Sequence, residues 1–144
     1  MTLEMQVIGM DKLKTKMENS RRKLTQRKSV NARAVVVVDR WIQKNFQSNG
    51  FNVGGWKKLE NPSEKRGGKS AQPLKDTGRL RMAWHFKANN TEASITSGVD
   101  YGHYHDQTDK KFKHVPQRRI LPTNKEIWPT LKRLYSSFVR ESFK

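Results

Sequence analysis

The stretch Leu80-Arg81-Met82-Ala83-Trp84-His85-Phe86-Lys87-Ala88-Asn89-Asn90-Thr91-Glu92-Ala93-Ser94-Ile95-Thr96-Ser97 decides the fold class. Leu80, Met82, Trp84, Phe86 and Ala88 alternate with Arg81, Ala83, His85 and Lys87, the period-two pattern of a half-buried strand. Asn89-Asn90 has the chemistry of a hairpin turn. Ala93, Ile95 and Ser97 alternate again as a returning strand, with Val99 and Tyr101 just beyond. Without this stretch the chain would read as helices and loops; with it, an antiparallel sheet is expected.

Upstream, residues 10–46 read as helical. Met10, Leu13, Met17 and Leu24 lie at near-helical spacing. Val30, Ala34, Val37 and Trp41 then recur in steps of three and four, with Val38, Ile42 and Phe46 alongside. The Val35-Val36-Val37-Val38 run has strand propensity, but its flanks keep the 3.6-residue period. One continuous helix is the reading, with a break into two helices near Ser29-Val30-Asn31 as the alternative. Downstream, Ile127, Leu131, Leu134, Tyr135, Phe138 and Val139 form one helical stripe, and Thr123 with Glu126 fits a capping box. Pro129 conflicts with an unbroken helix, so a kink or a helix start is expected there. Residues 48–73 and 102–113 read as long loops, the first Gly-rich and basic, the second rich in His and Lys. The order helix, loop, antiparallel strands, helix gives an α+β domain. It spans residues 1–144 as a single unit, with 1–48 as a basic N-terminal helical region.

The 144 residues suit one domain with a modest core. Thirty Lys/Arg against 13 Asp/Glu leave a formal net charge of +17. Such self-repulsion is relieved by polyanions: nucleic acid first, then an anionic surface or an acidic protein. Lys and Arg crowd the first helix, where Arg21, Arg22, Lys23, Arg27 and Lys28 are candidate DNA-phosphate contacts; a solvated helix face is the alternative. There is no cysteine, which excludes disulfides, thiolate zinc sites and cysteine nucleophiles. Residues 1–10 lack a signal peptide's pattern, and the aliphatic run 34–38 is far short of a bilayer span, so no membrane partner is expected.

Motifs of catalysis fail on spacing. His103, His105, Asp106 and His114 cluster, and on a strand His-x-His would share one side, but no HExxH pattern or second carboxylate accompanies them. Asp76-Thr77-Gly78 matches an aspartic-protease triplet in letters, yet that chemistry needs two such carboxylates. Gly67-Gly68-Lys69-Ser70 ends like a P-loop, but Ser63 stands where the leading glycine belongs. No catalytic, cofactor-binding or metal-ligating residue is assigned, and no enzymatic activity is expected.

Four segments taken in order carry a resemblance. Gly54-Gly55-Trp56-Lys57-Lys58-Leu59 resembles the Gly-x-Trp-x-Pro-Leu segment of the phage virion-morphogenesis (tail-completion) family. Leu74-Lys75-Asp76-Thr77-Gly78-Arg79-Leu80-Arg81 is similar to its Leu-x-Asp-Thr-Gly-x-Leu-Arg segment. Tyr101-Gly102-His103-Tyr104-His105-Asp106 resembles the start of its Tyr-Ala-x-x-His-Gln-x-Gly segment, without the closing glycine, and residues 115–121 its Ile/Val-Pro-x-Arg-x-Phe-Leu segment before a C-terminal helix. The resemblance covers residues 50–143. It implies a structural virion protein that completes the tail or joins it to the head at the neck. It further implies a small α+β subunit working as a ring of copies around the DNA channel, assembled in the bacterial cytoplasm. The implied partners are other copies, portal, neck or tail proteins, and packaged DNA contacted without sequence preference. The alternative is a sequence-nonspecific nucleic-acid-binding protein. The residues singled out for partner or fold contacts are Trp56, Leu59, Asp76, Thr77, Gly78, Arg79, Tyr101, His105, Arg118 and Arg119.

Overall fold

A computed structural model describes residues 9–60, 72–75, 77–106 and 116–144. Helix α1 spans Met10–Thr25 and α2 spans Lys28–Gln47, followed by a 3-10 turn at Phe51–Val53. A short helix α3 (Arg79–Met82) leads into strand β1 (Trp84–Ala88), which pairs with β2 (Ala93–Ser97) in an antiparallel two-stranded sheet. A helical turn α4 (Gly102–Asp106) and the long α5 (Asn124–Ser142) complete an α+β fold that is mostly helical. Among the described residues, no helix is long and apolar enough to cross a membrane.

Helix α2 is the spine. Its buried positions Val30, Asn31, Ala34, Val35, Ile42, Asn45 and Phe46 recur in steps of three, four and seven along one face, and the helix packs against the hairpin and against α5. Ile42 and Phe46 meet Trp56, Leu80, Val99 and Ile120 in the main core, with Val38, Trp41, Leu74, Trp84 and Ile95 packed around it. Each large side chain fully buried there contributes about 1.5–3 kcal/mol of transfer free energy. The core is small, and Phe51, Met82, Met17 and Trp128 are left 80, 75, 63 and 61% exposed.

The break between α1 and α2 falls at Gln26–Arg27, not at residues 29–31. The hairpin turn sets it. Asn90 Oδ1 accepts the first backbone N–H of α2, at Lys28 (2.9 Å), and Arg27 Nε donates to the Asn90 carbonyl (3.1 Å). Asn31 Nδ2 donates to the Asn89 carbonyl (2.7 Å) while Asn31 Oδ1 accepts the Tyr135 hydroxyl (2.7 Å). The turn from Asn89 to Glu92 therefore caps a helix some sixty residues away in sequence. Within it, Asn89 Oδ1 accepts the Thr91 and Glu92 N–H groups, both at 2.8 Å.

Three further expectations are corrected. The strand begins at Trp84 rather than Leu80. Gly78, at φ +70, turns the chain into α3, and Thr77 Oγ1 accepts the Arg79 N–H (3.4 Å). On this turn Leu80 enters the core while Met82 points outward, instead of the two sharing a strand face. Residues 102–106 are helical, not loop, so His103 and His105 are about 200° apart around the axis and share no face. Helix α5 starts at Asn124 and runs through Pro129. The Glu126 carboxylate accepts the Thr123 N–H (2.7 Å) and hydroxyl (2.8 Å), which closes the first turn before Pro129 is reached. The bond that proline removes would have used the carbonyl of Lys125, an exposed residue with water as an alternative partner.

Candidate functional site

The loop after α2 reverses at Asn49 and Gly50, both at positive φ, and Trp56 N–H donates back to the Asn49 carbonyl (2.8 Å). This folds the Trp56 indole onto Phe46, ring centroids 5.2 Å apart and edge-on. Trp56 Nε1 then donates to the Arg119 carbonyl (3.0 Å), which also accepts Asn45 Nδ2 (2.9 Å). One residue earlier, Arg118 is only 5% exposed. Its Nε donates to the Lys57 carbonyl (3.0 Å) and its N–H to the His105 carbonyl (2.8 Å). Asp106 Oδ1 accepts the N–H groups of Ile120 and Leu121. Three segments distant in sequence, 56–59, 101–106 and 118–121, are thus laced together through backbone groups.

Beside this lacing lies a cavity of about 290 Å³ lined by Leu59, Leu74, Thr77, Gly78, Arg79, Leu80, Tyr101, His105 and Arg118. Seven of the residues singled out from sequence therefore meet at one place. Trp56 and Arg119 adjoin them through their mutual hydrogen bond. Asp76 lies outside the described residues, as does His114. Burial lowers the His105 pKa, and the nearby Arg118 charge lowers it further, so the neutral imidazole is favoured. Burial also lowers the Arg118 pKa, against the opposing pull of Glu60. Arg118 is a buried anchor for three chain segments, whereas Arg119 reaches outward to a bidentate pair with Glu126, both bonds at 2.7 Å. Among the described residues no group of three His, Asp or Glu side chains is placed to hold a metal ion.

Glu126 is the junction between this cluster and α5. The Arg119 guanidinium, helped by the Thr123 N–H and hydroxyl and opposed by partial burial, lowers its pKa from 4.5 to about 2. A carboxylate with a depressed folded-state pKa adds stability that is complete above its unfolded value and vanishes as pH falls through the folded one. Acid titration of unfolding is therefore expected to show a loss between about pH 4.5 and 2. Glu126→Gln should remove that part of the loss, and an unchanged pH profile in the variant would contradict the pairing.

The basic residues of the first helical region do not form one face. Arg22 and Lys23 border a groove between α1 and the end of α5. Arg21 lies on the opposite flank with Leu24 and Phe143. Arg27 is tied to the hairpin, and Lys28 is exposed at the start of α2. Sequence reasoning missed Asn45, fully buried with its amide on the Arg119 and Ile120 carbonyls. The signal was a polar residue at the third step of an apolar stripe, between Ile42 and Phe46. It also missed Asp106 as the acceptor for Ile120 and Leu121.

No family model, curated protein or solved structure matches this chain.

Proposed function

We propose that the protein is a structural subunit of a tailed-phage virion, acting in tail completion or in joining the head to the tail at the neck, as one of a ring of copies around the DNA channel. The observation that carries this reading is the convergence of the resembling segments. Residues 56–59, 77–80, 101–106 and 118–121 come from separate parts of the chain, yet all four line one cavity, and 56–59, 101–106 and 118–121 also bond to one another's backbone.

Two physical features support it. The small core and the exposed Phe51, Met82 and Trp128 suit a subunit whose neighbours cover apolar surface. The charge of +17 suits proximity to DNA or to acidic faces of portal, neck or tail subunits. In the resembling family the segments serve no chemistry, so the role proposed is assembly rather than catalysis. Electron microscopy of lysates from a phage deleted for this gene tests the reading: full heads lying apart from tails are expected.

A further inference from the structure

Helix α1 meets the rest of the molecule along a narrow line. Ser20 and Ser142, each 4% exposed, lie on the floor of its contact with the end of α5. On one side of that line lies a groove of about 780 Å³ walled by Lys12, Lys16, Arg22, Lys23 and Lys144, with Asp11 the one carboxylate among its lining residues. Lys12, Lys16 and Lys23 stand at steps of four and seven, so they share one helix face over about 16 Å of axis. On the other side, Met17, Leu24 and Phe143 form an apolar flank. Arg21 and Arg27 line that flank too, so what sets the groove apart is that no apolar side chain is among its lining residues.

We propose that this groove is a binding site for the phosphate backbone of nucleic acid. Five cationic side chains against one carboxylate side chain outweigh both the main-chain carboxylate of Lys144 and the partial negative charge, roughly half an electron, at the C-terminal end of α5. Asn19 adds an amide, its Oδ1 already taken by Arg22 Nη2 at 3.3 Å, so its NH2 group is left as a donor. Duplex DNA carries one charge per about 1.7 Å of axis, so the lysine row spans several phosphates. The lining settles which polyanion fits. Protein interfaces are centred on apolar and aromatic anchors, and this groove has none among its lining residues. Phosphates ask only for charge and donors. With no aromatic platform to stack bases and no side chain placed to read them, the site takes the backbone regardless of sequence. Arg22 and Lys23 are among the five phosphate contacts singled out from sequence, Lys12 and Lys16 belong to the same basic helix, and Lys144 joins them from the other end of the chain. The inference stands on the groove alone and holds even if the chain has no place in a particle.

The test is fluorescence anisotropy of a labelled 20-base-pair duplex of mixed sequence, titrated with the full chain between about 50 and 200 mM salt, the range over which phosphate contacts lose most of their affinity. Replacing Lys12, Lys16 and Lys23 together by Gln should flatten the slope of log affinity against log salt by about 2–3, since each phosphate contact contributes about 0.9. A second triple, Lys58→Gln, Lys125→Gln and Lys132→Gln, removes the same charge from exposed sites elsewhere and should change the slope by less than about 1. Equal losses in the two triples would overturn the site in favour of diffuse charge. So would a groove triple that binds DNA like the parent but no longer binds polyglutamate, which would assign the groove to an acidic protein.

Discussion

Trp56→Ala is expected to cost about 3–5 kcal/mol of folding stability, the range for removing a large aromatic from a packed interior. Trp56 is 7% exposed, lies edge-on to Phe46, and donates to the Arg119 carbonyl. Its removal opens a void between α2 and residues 118–121. The Arg119 carbonyl keeps one partner, Asn45 Nδ2, so the loss is mainly packing. Against a total of about 5–15 kcal/mol for a domain of ordinary stability, the change brings the chain close to unfolding. Trp56→Phe keeps most of the ring and loses the N–H, so roughly 1–2 kcal/mol is expected, a hydrogen bond plus a small packing defect. Urea unfolding followed by circular dichroism checks both. A Trp56→Ala loss under about 1 kcal/mol, the level of ordinary surface substitutions, would mean that Trp56 does not hold the loop to the core.

Gly50→Ala is expected to be the most damaging glycine substitution in the described chain, by about 2–5 kcal/mol. The backbone at Gly50 has φ +79, which costs an alanine about 1–2 kcal/mol. In addition, a Cβ there would sit 2.3 Å from Trp56 Cδ1 and 2.5 Å from Cγ. The indole has little room to retreat, because Phe46 packs on it and the Arg119 carbonyl holds its N–H. Overpacking of this kind costs about 1–3 kcal/mol more. Gly54 and Gly55 supply the control. Their φ values are +88 and +89, but nothing lies within 4 Å of a Cβ built on either. Alanine there should cost only the backbone component. The double variant Gly50→Ala with Trp56→Ala separates the two causes, since with the indole gone the steric part disappears and the two losses should fall short of additive by about 1–3 kcal/mol. Strict additivity would show that the indole does not sit over Gly50.

The fold class was legible because the strongest signals are local. Alternation from Trp84 to Ala88 and Ala93 to Ser97, with two asparagines between, reads directly as a hairpin, and the apolar steps of α2 and α5 read as helices. What escaped was set by distant partners. The break at Gln26–Arg27 depends on Asn90 capping Lys28, and no property of residues 24–31 taken alone marks that spot. Leu80 and Met82 alternate in sequence like strand residues, yet the positive φ at Gly78 commits them to a helical turn. Pro129 argues against a continuous helix by itself, and it took the Arg119–Glu126–Thr123 arrangement to fix the first turn ahead of it. The candidate cluster was legible as a set of segments but not as a place. Nothing in the sequence says that the Lys57 carbonyl, the His105 carbonyl and Arg118 share hydrogen bonds. Arg118 looked like an exposed contact because arginines usually are, and burial with two backbone partners makes it an anchor instead.

The most direct test of the assembly role is a count of joined particles by electron microscopy. Lysates of a phage deleted for this gene would be compared with the same lysates supplied with the full chain from a plasmid. The account predicts full heads and separate tails in the first and joined virions restored in the second. Joined virions in normal numbers without the gene would contradict it.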